Sequence, residues 1–171
     1  MMRPWQTLML VSTLLCAAGA FAANDIDAFV AEAFVAQTAP ANVLWLTPAI
    51  KAAAQAATGS APAGARLRYW RLGARTAWVL DRIGKEEPIT FGVVVENNAI
   101  IAVKVITYRE SRGHEIRAPR WLAQFAGAQP VAKGLDRHID NITGATLSVR
   151  AGVAVARLAL FCHQQVLADA R

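Results

Sequence analysis

Residues 140–148 read DNITGATLS, and their types suit the binding or attachment of a phosphate group. Gly144 and Ala145 leave little bulk around the hydroxyls of Thr143 and Thr146. The segment leads into a long apolar-periodic pattern and is therefore expected to open a helix. A helix start offers free backbone N–H groups and the positive end of the helix dipole, and both favour a phosphate. The same residues also fit a simple capped loop in which Thr146 is the helix N-cap.

No other group of residues has the spacing of a catalytic or metal site. His114, His138 and His163 lack metal-ligand spacing and are expected on loops or on a helix surface, and the sequence has no CxxC pair or Cys/His cluster. Ser111 has no His and Asp partners at the spacing of a hydrolase triad. Metal chemistry and nucleophilic catalysis are therefore not expected.

The 140–148 segment resembles the flavinylation motif of the FMN-binding domain family, which includes the covalently flavinylated subunits of sodium-pumping and electron-bifurcating respiratory complexes. The family pattern Asp-x-x-Thr-Gly-Ala-Thr is matched at every key position, with a threonine where serine is more frequent. In that family a periplasmic, magnesium-dependent flavin transferase uses FAD to attach FMN through a phosphodiester to the last threonine. The resemblance therefore implies covalent FMN on Thr146. It places around the cofactor Asp140, Thr143, Gly144, Ala145, Leu147 and Ser148.

Two upstream segments resemble further parts of the family pattern. ESRG at residues 110–113 is similar to a Glu-Thr-Pro-Gly loop near the flavin, although Arg112 replaces proline and His114 replaces a second glycine. WLAQFAG at residues 121–127 is similar to a Trp/Gln/Phe/Gly segment that precedes the acceptor. The resemblance implies flavin contacts by Glu110, Ser111, Arg112, Gly113, Trp121 and Gln124. Trp121 also fits a core position, and Arg112 and Arg117 fit either flavin contacts or solvated charges.

The resemblance implies an electron-transfer module more than a stand-alone catalyst; if the protein is an enzyme, it is an FMN-dependent oxidoreductase. Its partners would be the flavin transferase and, as electron donor or acceptor, a membrane redox protein or a cytochrome. Asp140 would be recognised by the transferase or would contact its metal, or it would only cap the loop. Two alternatives stay open. One is a periplasmic module that binds a ligand noncovalently or is purely structural, and the other is a small flavin reductase.

The composition excludes several classes of protein. The chain has 171 residues, with 18 Lys+Arg against 12 Asp+Glu and 55 % hydrophobic residues. This balance excludes a disordered or collagen-like chain and fits a single domain. The net charge of +6 is spread along the chain without a basic run, so a nucleic-acid partner is not expected.

The N-terminus has the pattern of a secretory signal peptide. Arg3 precedes an apolar stretch from Leu8 to Ala20, and Ala20-Phe21-Ala22 forms a small-x-small cleavage site. A signal over residues 1–22 predicts a mature chain that begins near Ala23 in the periplasm. An uncleaved anchor, or a lipid on a cysteine of this stretch, is the alternative.

Removal of the signal changes the cysteine count. Cys16 lies inside the predicted signal, so Cys162 would be alone in the mature chain and no internal disulfide is expected. Stability must then come from the core. Cys162 itself is expected as a small buried residue on a helix.

Apolar spacing predicts the elements that hold the 140–148 segment in place. One helix is predicted from Asp25, as its cap, to Gln37, and a second from the cap Thr47 to Ala57. Glu96-Asn97-Asn98-Ala99 is predicted as a hairpin turn. Strands are predicted at residues 66–72, 76–83, 89–95 and 100–107, a short helix at 119–125 and a long helix at 147–168.

Helices first, strands in the middle and a helix last predict an α+β fold. It would comprise N-terminal helices, a central, mainly antiparallel sheet, and a long C-terminal helix after the flavin-attachment loop. Residues 23–65 are expected as a helical segment that forms one compact domain with the FMN-binding domain at residues 66–171. The resemblance covers about residues 89–168 and does not explain 23–65. Trp45, Trp70 and Trp78 are expected in the core or at its rim.

Overall fold

Five antiparallel strands form the sheet on which the other elements pack. The computed structural model describes residues 14–59, 61–132 and 134–169, with side chains from residue 24 onward. The strands are β1 Ala41–Trp45, β2 Arg66–Leu72, β3 Arg75–Ile83, β4 Pro88–Glu96 and β5 Ala99–Thr107, and their order in the sheet is their order in the chain. The helices are α1 Leu14–Ala33, α2 Pro48–Thr58, α3 Pro119–Leu122 and α4 Thr146–Ala168. Two 3₁₀ turns, His114–Arg117 and Ala123–Phe125, flank α3, and a small hairpin joins β6 Pro130–Val131 to β7 Gly134–Leu135.

The predicted α+β architecture is confirmed, and so is the turn at its centre. Asn97 and Asn98 have φ of 50° and 63°, the pair of left-handed residues that a type I′ hairpin between β4 and β5 requires. The seven inner residues of β4 are all buried, which explains why its sequence is continuously apolar instead of alternating. A sheet buried in this way must be covered on both faces.

The two faces of the sheet are covered by different helices. α4 packs on one face, where Trp78, Phe91 and Leu160 belong to the main core. α1 packs on the other face, where Phe29 and Phe34 meet Trp70, Ala77 and Val94. Gly92 of β4 lies directly under Phe29, because a Cβ built on this glycine would be 2.6 Å from the phenyl ring. The glycine therefore sets how closely α1 approaches the sheet.

The predicted cap of α2 is confirmed. The side chain of Thr47 accepts a hydrogen bond from the backbone N–H of Ile50 at 3.2 Å, and Pro48 occupies the first turn, where its missing N–H costs nothing. Gly59, with a φ of 76°, ends the helix in the left-handed conformation.

The N-terminal region differs from its prediction in two ways. Ala41–Trp45 forms an edge strand where only a connection was expected; just Leu44 of its five residues is buried, so the alternation is weak. Trp45 is accordingly 61 % exposed and lies outside the core. Within the described residues α1 covers Leu14–Ala33, so Asp25 lies inside the helix and does not cap it. Residues 1–13 of the predicted signal peptide lie outside the described residues.

His163 is the clearest error of the sequence interpretation, because it was expected on a helix surface and is fully buried. Its Nδ1 is 2.8 Å from Thr76 Oγ1, which also accepts a hydrogen bond from Trp78 Nε1 at 2.9 Å. Desolvation, with the nearby charge of Arg71, lowers the pKa of His163 to about 4. The residue lies four positions after Ala159, on the apolar stripe of α4, and this helical spacing was the available signal.

Cys162 is confirmed as a buried free thiol on α4. Desolvation raises the pKa of Cys162 to about 12, so the thiol is not ionised near neutral pH. Nucleophilic and redox chemistry by this residue is therefore not expected in the folded protein.

We expect the stability of the fold to fall in mild acid because of His163. The imidazole is neutral when folded but takes up a proton near pH 6.5 when unfolded, so its contribution is fully present above pH 6.5 and is lost as pH falls toward 4. The loss amounts to at most about 3 kcal/mol. The measurement is the free energy of unfolding in urea at several pH values between 7.5 and 5. His163→Asn, which has no such titration, should lose less stability over this range than the wild-type protein.

The matched control for this experiment is His114→Asn, since His114 is exposed. It should retain the wild-type pH dependence. Equal slopes for wild type and His163→Asn would contradict the assignment.

Candidate functional site

The segment that leads into α4 is a turn with one hydroxyl at its end. Ala145 N–H donates to Ile142 O at 2.9 Å, and Gly144 between them has a φ of 85°, a conformation that favours glycine. The prediction that Thr146 is the helix N-cap is wrong: Ala145 holds that position, and Thr146 is the first helical residue. The hydroxyl of Thr146 therefore does not cap the helix.

The hydroxyls of the segment differ in exposure. Thr143 is exposed and Thr146 is half-buried, whereas Ser148 is 4 % exposed and faces the interior. Thr146 Oγ1 accepts a hydrogen bond from Asn141 Nδ2 at 3.2 Å. Leu147, between Thr146 and Ser148, is 44 % exposed. Two hydroxyls are thus accessible to another molecule, and one of them is held by a neighbouring amide.

The 110–113 loop packs directly against the start of α4. Gly113 has a φ of 87°, and a Cβ there would lie 2.9 Å from Tyr108 Oη, 3.1 Å from Ser148 Oγ and 3.2 Å from the Cβ of Ala145. Tyr108 Oη also donates a hydrogen bond to the carbonyl of Arg112. Only glycine fits this approach. The side chains of Ser111 and Arg112 are exposed beside it.

Glu110 makes contacts that the sequence did not predict. Its carboxylate accepts hydrogen bonds from the backbone N–H groups of the β3–β4 turn: Lys85, Glu86 at 2.8 Å and Glu87 at 3.2 Å. Desolvation opposes ionisation of this carboxyl, but the N–H donors together outweigh it and hold the pKa of Glu110 below its ordinary value. The carboxylate therefore fastens this loop to the sheet, and its predicted contact with a flavin stays a prediction.

Trp121 and Gln124 hold the beginning of residues 140–146. This segment, which is predicted to carry the flavin, is called the attachment segment. Trp121 Nε1 donates to the carbonyl of Asp140 at 2.9 Å, and Gln124 Oε1 accepts from the N–H of Asp140 at 2.9 Å. The ring of Trp121 is buried and packs edge-to-face on Phe125 at 5.2 Å. It therefore takes the core role, and both side chains position a peptide group. The side chain of Asp140 is exposed.

Two grooves lie near the predicted residues. One, of about 430 Å³, begins at Thr146 and Asn141 and follows α4 past Arg150 to Arg157. The sequence interpretation did not name Arg150 and Arg157 as neighbours of Thr146, although both recur at helical spacing from it. The other groove, of about 590 Å³, lies between α1 and α3 across β5 and contains Arg117. The structure therefore places Arg117 in a different groove from the one beside Thr146.

Two further properties concern metal binding and membrane insertion. Within the residues that the structure describes, no group of three or more His, Cys, Asp or Glu side chains could hold a metal ion. α4 is long and apolar enough to cross a membrane, but 56 % of its most apolar part is buried inside the protein, as in a core helix.

We expect the hydrogen bond of Gln124 to keep the attachment segment rigid. Gln124→Leu removes the acceptor of the Asp140 N–H and should cost about 1 kcal/mol of stability. Hydrogen–deuterium exchange should become faster in the peptide that contains Asp140. Gln129→Leu, at an exposed position in the neighbouring loop, is the matched control and should leave that peptide unchanged. Unaltered exchange in Gln124→Leu would show that the bond does not order the segment.

A comparison with known protein families matches the same part of the chain. A family model described as FMN-binding domain matches residues 84–160. This range contains β4, β5, the 110–113 loop, Trp121 and Gln124, which bond to Asp140, and the first four turns of α4. No significant match is found among curated proteins or among solved structures. The family whose model matches residues 84–160 is the family that the flavinylation motif indicated.

Proposed function

We propose that this protein is an exported flavoprotein that carries FMN through a phosphodiester on Thr146 and serves in electron transfer. The observation that carries the proposal is the half-buried hydroxyl of Thr146, on the first helical residue of α4 and beside a groove, in a segment that matches the flavinylation motif. Ser148 is buried and is therefore the less suitable hydroxyl.

The surroundings of Thr146 fit this modification. A Cβ built on Gly144 would meet no atom within 4 Å, so a second enzyme has open space beside the acceptor. In the proposed step the Thr146 Oγ1 forms a bond to the FMN phosphorus of FAD while the pyrophosphate P–O bond breaks. AMP leaves with the bridging oxygen, and the hydroxyl proton passes to the transferase or to solvent. Asn141 donates to this oxygen, which stays a hydrogen-bond acceptor after esterification.

The electron-transfer role follows from the cofactor. Bound FMN supplies transfer of one or two electrons, and the protein contributes position and tuning. Electron transfer needs no acid or base from the chain. His163 is buried in the core between the sheet and α4, where it contacts Thr76, and is not beside Thr146. The proposed redox partner is a membrane redox protein or a cytochrome, and the maturation partner is a flavin transferase.

The proposed location is the periplasm, supported by the signal-peptide pattern of residues 1–22. A covalent link suits that compartment, because a dissociable flavin would be lost there.

The test of attachment is the intact mass of the protein produced in the periplasm together with a flavin transferase. We expect a gain of one FMN less one water, with Thr146→Ser partly modified and Thr146→Ala unmodified. Thr38→Ala, which changes an exposed threonine outside the motif, is the control and should be modified. Absence of the gain in wild type, or a gain that persists in Thr146→Ala, would falsify the proposal. A yellow protein that releases its flavin on denaturation would instead show noncovalent binding.

Export is tested on the same preparation. We expect the N-terminal sequence of the periplasmic protein to begin near Ala23, since the predicted cleavage site ends at Ala22. Retention of residues 1–22 on membranes would show an uncleaved anchor, and recovery of the protein in the cytoplasm alone would contradict export.

A further inference from the structure

The face of the sheet under α1 is covered at one end only. Trp70 of β2 and Ala77 of β3, which are paired, belong to the core beneath α1. Since side chains alternate along a strand, Arg68 and Arg66 in β2 and Ile83 in β3 lie on the same face as this pair. All three are exposed, so α1 does not cover this end of the face.

The edge strand β1 adds two exposed apolar side chains to the uncovered end. Val43 is paired with Arg68 and Trp45 with Arg66, and paired residues share a face. Val43 is 43 % exposed, Trp45 61 % and Ile83 63 %. Because neighbouring strands run antiparallel, Trp45, Arg66 and Ile83 all lie at the end of the sheet next to the β3–β4 turn. These five residues, at positions 43, 45, 66, 68 and 83, form what we call the Trp45 patch.

The two arginines of the Trp45 patch are not neutralised by the protein. Neither Arg66 nor Arg68 has an ion-pair partner among the residues that the structure describes. Arg68 lies over the ring of Trp70 at 4.5 Å, and Arg66 lies over the ring of Trp45 at 6.0 Å. Stacking on an indole orients a guanidinium and leaves the N–H donors at its edge for an external acceptor.

The charges around the patch leave an excess of positive charge. Asp81, on the same face of β3, accepts a hydrogen bond from Thr90 Oγ1 at 2.6 Å. Arg109 donates to the same hydroxyl at 3.1 Å and to the carbonyl of Pro88 at 3.0 Å, so a third guanidinium lies at this end of the sheet. The adjoining turn carries one lysine and two glutamates, at residues 85–87. The excess therefore comes from the three arginines.

We propose that the Trp45 patch docks the protein on an anionic phospholipid surface, where its apolar side chains enter the headgroup boundary and its arginines contact lipid phosphates. An indole suits this boundary because its body is apolar and its N–H bonds to polar groups. Arginine has an apolar stem that lies along such a surface and a guanidinium that binds phosphate with two hydrogen bonds. The proposal does not depend on the flavin, so the mass test of Thr146 and the test below succeed or fail separately.

A lipid surface fits the patch better than an acidic protein does. The apolar side chains belong to β1 and β3 and are separated by the arginines of β2, so they form no continuous apolar area. A protein interface requires a continuous buried core with a polar rim. Binding to a lipid surface instead sums the buried apolar area and the attraction to anionic lipids, with no matched shape.

The test measures co-sedimentation of the purified protein, in the form that the cell processes, with lipid vesicles. Vesicles of phosphatidylglycerol mixed with phosphatidylcholine are compared with vesicles of phosphatidylcholine alone. We expect binding to the anionic vesicles, weakened by salt, and little binding to the neutral ones. Arg66→Gln with Arg68→Gln should lower the affinity roughly 25-fold, since each basic residue near an anionic surface contributes about fivefold. Arg66→Lys with Arg68→Lys, which keeps the charge, should retain most of the binding.

The apolar part of the patch is tested by Trp45→Ser and Ile83→Ser. Each should weaken binding to anionic vesicles severalfold, because the lost side chain no longer enters the headgroup boundary. Trp45→Ser should also remove the blue shift of tryptophan emission that vesicles cause in the wild-type protein. Circular dichroism verifies that each variant is folded.

The matched controls change similar residues away from the patch. Val131→Ser alters a side chain of β6 that is 49 % exposed. Arg120→Gln with Arg150→Gln removes two exposed arginines from α3 and α4, whose buried residues belong to the core on the other face of the sheet. Both controls should bind anionic vesicles like the wild-type protein.

Two outcomes would overturn the proposal. One is the absence of binding to anionic vesicles, and the other is an equal loss of binding in the patch variants and their controls. Soluble poly-glutamate represents an acidic protein. If Arg66 and Arg68 are needed to bind poly-glutamate and vesicles are not bound, the patch is a protein-docking surface and the lipid assignment is wrong.

Discussion

The geometry of the candidate site depends on two contacts of the buried indole of Trp121. Its edge lies against Gly152 so closely that a Cβ there would be 2.9 Å from Cη2, which fixes the distance between α3 and α4. Its Nε1 meanwhile fixes the carbonyl of Asp140 at the start of the attachment segment. One side chain therefore sets the position of the helix that carries Thr146 and of the loop that leads into it. The start of that loop and the helix that follows it are thus both positioned by one buried ring.

The residues before the matched domain are part of the same fold. β3 pairs with β4 over nine residue pairs, and β2 and β1 extend the sheet beyond it. Phe29 of α1 covers Gly92 on the face that α4 leaves open. Without this region the buried residues of β4 would lose one neighbouring strand and one covering helix. The part of the chain that the family model matches, residues 84–160, therefore depends on the preceding residues for a closed core.

Local signals allowed the sequence to predict the α+β fold, the Asn97-Asn98 turn, the Thr47 cap and the extent of α4. The errors arose where distant contacts decide the outcome. The edge strand β1 exists because it pairs with β2, and its own residues alternate weakly. The motif predicted flavin contacts for residues 110–113, Trp121 and Gln124, and these contacts stay predictions, although the structure places the residues beside the segment that leads into α4. It did not indicate that Trp121 and Gln124 bond to a peptide group, because that depends on how α3 lies against the loop.

The inward direction of Ser148 has a consequence for the proposed attachment to Thr146, because it decides which hydroxyl a modifying enzyme would meet. Two residues along a helix correspond to a rotation of about 200°, so Thr146 and Ser148 point in nearly opposite directions. Two chemically similar hydroxyls are thus distinguished by helix phase, and the enzyme need not discriminate threonine from serine. Loss of one residue from the turn before α4 would change which side chain occupies the presented position. The length of the turn at Gly144 is therefore as strict a requirement as the identity of the acceptor.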